Sequence, residues 1–229
     1  MLQSPGMSKR QSIERQVDIF LSAYHGMRRL YVEKSNIVLK GVFPFSAEKK
    51  GCPLVEDSFR LKILIPTEFP SKLPIVFETG GEIPRIPDYH VNQTDGSLCL
   101  GSTLTLAKYI ASNPTLTNFA KKCIVPYLYA VCLFKNHGIS WTFNELGHGI
   151  EGLISDYSLM FGVQEPIRIL EFITYLGEKK RIANKMPCPC GCDKRFGKCK
   201  KGMNANTYRV FGTRKFFKTV AKDFERQLR

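Results

Sequence analysis

The sequence predicts an α+β fold, in which an antiparallel meander of strands is flanked by helices and followed by a small C-terminal module. Apolar side chains recur at helical spacing over residues 9–26. Three segments of strand character follow, at 35–45, 59–65 and 73–78. A cluster of cysteines at 188–199, between two further helical patterns, indicates the C-terminal module.

The helices and strands before residue 165, which we call the body, are predicted from apolar spacing and from the positions of proline. The first helix has one apolar face, formed by Ile13, Val17, Phe20, Leu21 and Tyr24. The segment PTEFPSKLP, at 66–74, joins the last two strands, and its prolines prevent a regular element from continuing through it. Residues 80–102 are rich in Gly, Pro, Asp and Asn, so we expect irregular structure there. Residues 118–136 have a helical pattern, which Pro126 must either kink or enter in its first turn.

The C-terminal part has two helical patterns of its own. Ile167, Leu170 and Ile173 have the spacing of a helix over 165–177. A final amphipathic and basic helix follows the cysteines, with its apolar face formed by Phe217, Val220, Ala221, Phe224 and Leu228. We therefore expect two domains, a body at 1–164 and a C-terminal domain at 165–229 that holds a helix, the cysteine motif and the basic helix.

Composition places the chain among cytoplasmic globular proteins. Of its 229 residues, 43% are hydrophobic, which is ample for a core. The N-terminus has no apolar segment typical of a secretory signal, and the longest apolar run, at 124–134, is too short to span a bilayer. We expect no membrane association. In the cytoplasm the eight cysteines are reduced, so clustered cysteines indicate metal binding or catalysis.

The positive charge is concentrated at the C-terminal end. Residues 179–229 carry 16 Lys and Arg against three acids, whereas residues 1–178 carry 18 and 17. A basic tail on a nearly neutral body favours association with nucleic acid or with an acidic protein surface. A solvated basic face without a partner is the alternative.

The most specific motif of the body is the segment HVNQTDGSLCL, at 90–100. It resembles the active-site segment of ubiquitin-conjugating enzymes, in which His-Pro-Asn precedes a Gly-x-Ile-Cys-Leu sequence whose cysteine carries a thioester. The matching residues are His90, Asn92, Gly96, Cys99 and Leu100. Val91 stands at the family's proline, and one residue fewer separates Asn92 from Gly96. PTEFPSKLP is also similar to the Tyr-Pro-x-x-Pro-Pro crossing of that family, and the resemblance covers roughly residues 9–160.

The resemblance implies a ubiquitin-conjugating-enzyme-like fold and roles for four residues. Cys99 is the nucleophile that forms the thioester, and Asn92 donates a hydrogen bond to the oxyanion of the transfer step, as the family's asparagine is thought to do. Asp95 is a candidate for deprotonating the incoming lysine. His90 is expected to brace the loop through a backbone hydrogen bond rather than to act as a general base.

The departures from the family motif are typical of its bacterial branch, to which the segment from Trp141 through Glu145 to Gly149 is also similar. His148, within that segment, is expected to be structural. This branch includes enzymes of antiphage operons that signal through cyclic oligonucleotides. The resemblance implies a protein cargo similar to cyclic GMP–AMP synthase, a nucleotidyltransferase. Because the chain has no ATP-binding glycine loop, a separate activating enzyme is expected, unless the protein attacks an existing peptide bond as a thiol protease does.

Four thiols lie within twelve residues at Cys188, Cys190, Cys192 and Cys199. In a reducing compartment this density favours a structural zinc ion with four cysteine ligands, which leaves no open position for a catalytic water. The segment resembles the SEC-C motif, Cys-Pro-Cys-Gly-Ser-Gly-Lys-Lys-Tyr-Lys-Lys-Cys followed by Cys or His. The first two cysteines and the last coincide with motif ligands. Lys200 stands at the usual fourth ligand, so Cys192 is the candidate for that bond. The alternative is a basic loop without metal.

Two alternatives to a conjugating enzyme remain open from the sequence. One is a non-catalytic adaptor that binds nucleic acid or an acidic protein through the basic module. The other is a thiol hydrolase, which needs a histidine against Cys99. Cys52, Cys123 and Cys132 are expected to be small apolar residues without chemistry.

Overall fold

The computed structural model of the protein describes residues 9–33, 35–139 and 149–229. The helices of this part are α1 Lys9–Ala23, α2 Thr103–Ile110, α3 Leu116–Phe119, α4 Val125–His137, α5 Gly149–Phe161, α6 Pro166–Gly177, α7 Lys180–Ala183, α8 Lys200–Thr207 and α9 Arg214–Leu228. The strands are β1 Met27–Glu33, β2 Asn36–Ala47, β3 Val55–Pro66 and β4 Ile75–Glu78. The segment from Trp141 to His148, for which a resemblance and a structural histidine were predicted, lies outside the described residues.

The strands form one antiparallel sheet in the order β1-β2-β3-β4, so the predicted α+β class and meander are confirmed. Strands β2 and β3 pair along their whole length, from Asn36 opposite Pro66 to Ala47 opposite Val55. The first strand was not predicted. Its sequence, MRRLYVE, carries two arginines near its start, and these obscure the alternation of apolar and polar residues that identifies a strand.

The chain divides into two compact units. The first, which we call the N-terminal unit, lies within Met1–Leu100 and Ser112–Asn144, and the second, the C-terminal unit, lies within Gly101–Ala111 and Glu145–Arg229. Helix α2 therefore belongs to the C-terminal unit, although it follows the cysteine loop in sequence.

The core of the N-terminal unit lies between the sheet and its helices. The predicted apolar face of α1 is buried at Ile13, Val17 and Phe20, and the ring of Tyr24 stacks on Phe43 of β2 at 4.4 Å. Helix α4 follows a π-helical turn at Ala120–Ile124 and is buried along much of its length. Pro126 lies in the first turn of α4, directly after this π-helical turn. The second of the two predicted roles of this proline is therefore correct.

The C-terminal unit is built around aromatic side chains. Helices α6 and α9 pack on each other and, with the cysteine segment, enclose Phe172, Phe196, Phe217 and Phe224, each at most 1% exposed. In the described part of the chain, no helix is both long enough and apolar enough to cross a membrane.

Arg209 stabilises the C-terminal end of α6. Its guanidinium donates to the carbonyl oxygens of Tyr175, Leu176 and Glu178, each at 2.9 Å, and its Nε donates to Asn206 at 2.8 Å. The last carbonyls of a helix have no partner within the helix, and a cation there also interacts favourably with the helix dipole. Burial lowers the pKa of Arg209, and the nearby Arg214 lowers it further.

Candidate functional site

A short hairpin holds the predicted catalytic residues. Val91 and Leu98 form an antiparallel bridge, and the turn between them is closed by the Asn92 amide, which donates to the Ser97 carbonyl at 2.8 Å. The Gly96 amide donates to the Asn92 carbonyl at 2.7 Å. The backbone on both sides of the turn is therefore hydrogen-bonded, which fixes the approach to Cys99.

His90 and Cys99 are joined directly through the backbone. The Cys99 amide donates to the His90 carbonyl at 2.8 Å, and His90 itself has the left-handed conformation, with φ of 50°. This conformation follows the 3₁₀ turn at Pro87–Tyr89 and reverses the chain into the hairpin. The His90 carbonyl thus accepts a hydrogen bond within the loop, and the bracing role expected for this residue stays a prediction.

Asp95 orders the turn through its side chain. Its Oδ1 accepts a hydrogen bond from the Ser97 amide at 2.9 Å and another from the Ser97 hydroxyl at 2.7 Å. An aspartate that accepts from the backbone two residues later forms an Asx turn, which competes well with regular structure at such positions. The sequence predicted a general base at Asp95 and did not predict this structural contact.

Gly96 is required by two features of the turn. Its φ of 76° is readily adopted only by residues without a side chain, and a Cβ atom there would lie 3.0 Å from the guanidinium carbon of Arg85. Arg85 thus lies directly over the turn, and its side chain is exposed. Its guanidinium places a positive charge beside the hairpin, and no pattern in the sequence indicated this charge.

The hairpin is anchored to the edge of the sheet. Ser97 pairs with Phe77 of β4, and the Leu98 amide donates to the Val76 carbonyl at 2.8 Å. The neighbouring Glu78 is buried, and its carboxylate accepts hydrogen bonds from the amides of Gly80 and Gly81. The loop 80–102, predicted as irregular, therefore contains pairing that continues the sheet to the cysteine.

Tyr127 supports the loop from the helix beneath it. Its hydroxyl donates to the Tyr89 carbonyl at 2.7 Å, and its ring is 5% exposed. Burial raises the pKa of Tyr127, and the charges of Cys99 and Glu78 raise it further. The hydroxyl therefore stays protonated and neutral next to the cysteine. Nothing in the sequence identified Tyr127, because its contact with Tyr89, 38 residues earlier in the chain, depends on how α4 packs under the loop.

Exposure separates Cys99 from the other thiols of the N-terminal unit. Cys99 is exposed, Cys52 is half-buried, and Cys123 and Cys132 are buried. Burial raises the pKa of both Cys123 and Cys132 to about 12, and for Cys132 a hydrogen bond to Asp57 adds to the effect. A thiol with so high a pKa is inert at neutral pH, since the thiolate is the nucleophile.

The hairpin thus brings together the four residues predicted as catalytic: His90, Asn92, Asp95 and Cys99. The Asn92 side chain is exposed at the start of the turn, whereas its backbone closes the turn. Tyr127, Arg85 and Glu78 are neighbours of the site that the sequence analysis missed.

The four cysteines of the C-terminal segment form a candidate metal centre. The Sγ atoms of Cys188, Cys190, Cys192 and Cys199 all lie within 4.8 Å of one another and can hold a metal ion. The Sγ atoms of Cys190 and Cys199 are 3.5 Å apart, too far for a disulfide, and all four cysteines are free. Cys192 lies with the other three, as predicted for the fourth ligand.

A tight backbone turn gathers these cysteines. The Cys188 amide donates to the Lys194 carbonyl at 2.8 Å, and Gly191 and Asp193 take left-handed conformations, with φ of 75° and 56°. Cys199 then forms the N-cap of α8. Burial raises the pKa of Cys199, but the Gly202 amide and the other three thiols outweigh burial and lower this pKa to about 6. Burial is also the main cause of the raised pKa of Cys188.

Close packing holds the cysteine segment against the helices of the C-terminal unit. A Cβ atom at Gly202 would lie 2.1 Å from the Phe196 carbonyl oxygen, so only glycine allows α8 to approach this closely. The ring of Phe196 is fully buried and meets Tyr175 edge-on at 5.3 Å. Arg168 of α6 donates to the Cys190 carbonyl at 2.9 Å. The cysteine segment is therefore integrated with the surrounding helices.

Comparison with known proteins gives no match. No protein-family model, no curated protein and no solved structure resembles the chain closely enough to count as a match. The functional argument therefore rests on the residues and their geometry.

Proposed function

We propose that the protein is a ubiquitin-conjugating-enzyme-like acyltransferase that carries a protein C-terminus as a thioester on Cys99 and transfers it to a lysine. The observation that carries this proposal is the exposed Cys99 thiol, held at the end of a hairpin whose turn also presents Asn92. The reaction is inferred from the motif resemblance, and the hydrogen-bonded hairpin holds the backbone of Cys99 in a defined position.

The proposed reaction has two acyl transfers. The Cys99 thiolate attacks the carbonyl carbon of a cargo C-terminus activated as an acyl adenylate, the C–S bond forms, and AMP leaves with the C–O bond electrons. The amine of a lysine then attacks the thioester carbonyl. The C–N bond forms, the Cys99 thiolate leaves, and the amine loses a proton to a base or to water. A free thiol has a pKa of about 8.5 and is about 3% ionised at pH 7, so modest stabilisation of the thiolate is useful.

The residues around Cys99 fit distinct parts of this chemistry. The side-chain amide of Asn92 is available to donate to the oxyanion of the tetrahedral intermediate, a contact worth about 3 kcal/mol in other acyl-transfer sites. Tyr127 holds the Tyr89 carbonyl, and with it the loop that leads to Cys99. Arg85 adds a positive charge beside Gly96 of the turn. The contacts of Asp95 with Ser97 support a positioning role, and its role as a base stays a prediction.

We further propose that the metal of the four-cysteine centre is zinc and that it is structural. Four sulfurs at about 2.3 Å from a zinc ion in a tetrahedron lie about 3.8 Å from one another. The cysteine sulfurs approach this arrangement, with 3.5 Å between Cys190 and Cys199 and 4.8 Å as the upper limit for all pairs. Cys188, Cys190, Cys192 and Cys199 would supply the ligands, and the ion would stabilise the folded cysteine segment.

The cargo that the resemblance suggests is a cyclic-GMP–AMP-synthase-like nucleotidyltransferase of an antiphage operon, activated by a partner enzyme. On this proposal the protein regulates antiphage signalling in the cytoplasm. The cargo and the activating enzyme are both testable by isolating whatever becomes attached to Cys99.

The test is a trapping experiment in the native host with the neighbouring genes present. Cys99→Ser and Cys99→Lys convert the labile thioester into a stable ester or amide. Intact-mass spectrometry of each variant is expected to show a protein-sized adduct, whose mass identifies the cargo. Cys52→Lys is the matched control, because it places the same amine at another incompletely buried thiol of the same unit. An adduct on Cys52→Lys but not on Cys99→Lys would sink the proposal.

The adaptor is the second candidate: the basic C-terminal end is compatible with both candidates, and the intact Cys99 loop argues against a purely scaffolding role. An adaptor would bind its partner equally well with Cys99→Ser, and binding to nucleic acid would weaken steeply with salt. An enzyme would lose its conjugating activity in the same variant, whereas its folding would be unchanged.

A further inference from the structure

The C-terminal unit contains a concave site whose rim is cationic. A cavity of about 540 Å³ opens between the end of α6, helix α7 and the start of α9. Its lining consists of Leu176, Lys179, Lys180, Arg181, Arg209, Gly212, Arg214 and Phe217. The volume is within the range of about 300–1,000 Å³ that is usual for small-molecule sites.

The floor and the rim of the cavity have different roles. Leu176 and Phe217 are fully buried and form the floor, and Arg209 is held there by its hydrogen bonds to the end of α6. The side chains of Lys179, Lys180, Arg181 and Arg214 are exposed around this floor. Among the described residues, none of these four forms an ion pair within 4.0 Å.

Glu178, which precedes the rim residue Lys179 in sequence, has an ion-pair partner outside the cavity. Glu178 pairs with Lys218 at 3.0 Å, a lysine that does not line the cavity. A hydrogen bond from Lys218, followed by its charge, lowers the pKa of Glu178, and Arg214 contributes a smaller effect in the same direction. Burial lowers the pKa of Arg209, and the positive charge of the nearby Arg214 lowers it further. Five cations thus surround one cavity, with one carboxylate nearby.

The start of α9 adds an independent observation. The first turn of a helix favours anionic side chains, because its amide groups carry partial positive charge. Helix α9 instead begins with Arg214 and Lys215 and has no acid in its first turn. Cations at this position weaken the helix locally, and such departures from local rules are expected at functional sites. A bound anion would convert this unfavourable arrangement into a favourable one.

We propose that this cavity, which we call the cationic cavity, binds a phosphate group of a nucleotide or of a nucleic acid. Phosphate matches the site better than a carboxylate does, because it carries more charge and presents several acceptor oxygens to lysine and to the planar donors of arginine. The apolar floor and the volume leave room for more than an isolated ion. This site is independent of Cys99, so its test does not depend on the conjugating activity.

The test compares two lysine variants of the full, zinc-loaded chain. Lys180→Glu reverses a charge on the rim, and Lys222→Glu makes the same change on α9 outside the cavity. Lys222 lies eight residues beyond Arg214, about 12 Å along the helix axis, which exceeds the Debye length of about 8 Å at physiological salt. The two variants have equal net charge, so an effect of the overall field is the same in both.

Three probes are titrated by calorimetry and by competition: inorganic phosphate, ATP and a short single-stranded oligonucleotide. We expect Lys180→Glu to weaken binding of at least one probe about tenfold or more, and Lys222→Glu to weaken it less than about threefold. Binding of ATP or phosphate supports the proposal and identifies a nucleotide-type ligand. Binding of the oligonucleotide alone supports it and identifies the nucleic-acid backbone.

Three results would overturn the proposal. The first is an equal loss of affinity in the two lysine variants, which would mean that binding depends on the overall positive charge and not on the cavity. The second is no binding of any probe to the unaltered chain. The third is binding of polyglutamate that is as tight as the binding of the phosphate-containing probes, which would contradict the preference for phosphate. Thermal unfolding checks both variants, and Lys180→Gln, which removes charge without reversing it, is expected to give a smaller loss in the same direction.

Discussion

Asp95 offers a sharp test of how the hairpin works, because two roles for it predict opposite results for one substitution. Asp95 Oδ1 accepts two hydrogen bonds from Ser97. Since Asp95 is exposed, each contributes about 0.5–1 kcal/mol, toward the low end for a net hydrogen bond. Together they favour the closed turn by about 1–2 kcal/mol, which corresponds to about a 5- to 30-fold change in its population.

Asp95→Ala and Asp95→Asn separate the two roles. If Asp95 positions the turn, Asp95→Ala is expected to slow transfer by about 5- to 30-fold, whereas Asp95→Asn keeps an acceptor oxygen and stays within about threefold of the unaltered chain. If Asp95 is the general base, Asp95→Asn loses the basic group and slows transfer by about 100-fold or more. We expect the first pattern.

The assay is single-turnover discharge of purified Cys99 thioester to free lysine. Asp18→Asn on α1 is the control for loss of one negative charge in the same unit. If Asp95→Asn is as slow as Asp95→Ala, or slower than it, the positioning role is wrong.

Three further predictions follow from the packing and from the pKa values. Arg209→Leu removes the hydrogen bonds at the end of α6 and is expected to lower the free energy of unfolding by about 3 kcal/mol, measured by urea denaturation. Gly202→Ala places a methyl group against a backbone carbonyl and is expected to release the metal, measured by metal content after gel filtration. Because the pKa values of Cys123 and Cys132 are raised to about 12, both stay protonated below that pH, and iodoacetamide at a pH of about 8 is expected to leave them unlabelled while Cys99 reacts.

The first two of these predictions have a matched control variant, and each of the three has a contrary outcome. Arg226→Leu changes an exposed arginine of α9 and is expected to cost less than about 0.5 kcal/mol, so equal losses would contradict the capping role of Arg209. Met203→Ala changes an exposed side chain of α8 and is expected to retain the metal, so metal loss in this control alone would contradict the packing argument. Labelling of Cys123 in folded protein before Cys99 would contradict the assignment of the accessible thiol.

Some of the fold follows from local pattern, and these parts were predictable. The apolar face of α1, the long strand pair and the first-turn position of Pro126 each depend on residues close in sequence. The four cysteines were predictable from their density, since four thiols within twelve residues favour a shared metal ion. By contrast, β1 depends on its pairing with β2, and its own sequence contains too many charges to reveal it.

The parts of the site that sequence did not reveal depend on distant contacts. Tyr127 meets the Tyr89 carbonyl only because α4 packs beneath the loop, and Arg85 meets Gly96 only because the hairpin turns back over it. Arg209 caps a helix that ends about 30 residues before it. Side-chain contacts of this kind are fixed by tertiary packing, and a single sequence carries no periodic signal for them.

The most direct test of the central claim is tandem mass spectrometry of tryptic peptides from Cys99→Lys expressed with its neighbouring genes. An unmodified lysine at position 99 is cleaved by trypsin, whereas an acylated lysine is not. The account predicts an uncleaved peptide spanning residues 86–108 that carries the C-terminal remnant of another protein on residue 99. Complete cleavage after residue 99, with the cargo and activating proteins present, would contradict thioester chemistry at Cys99.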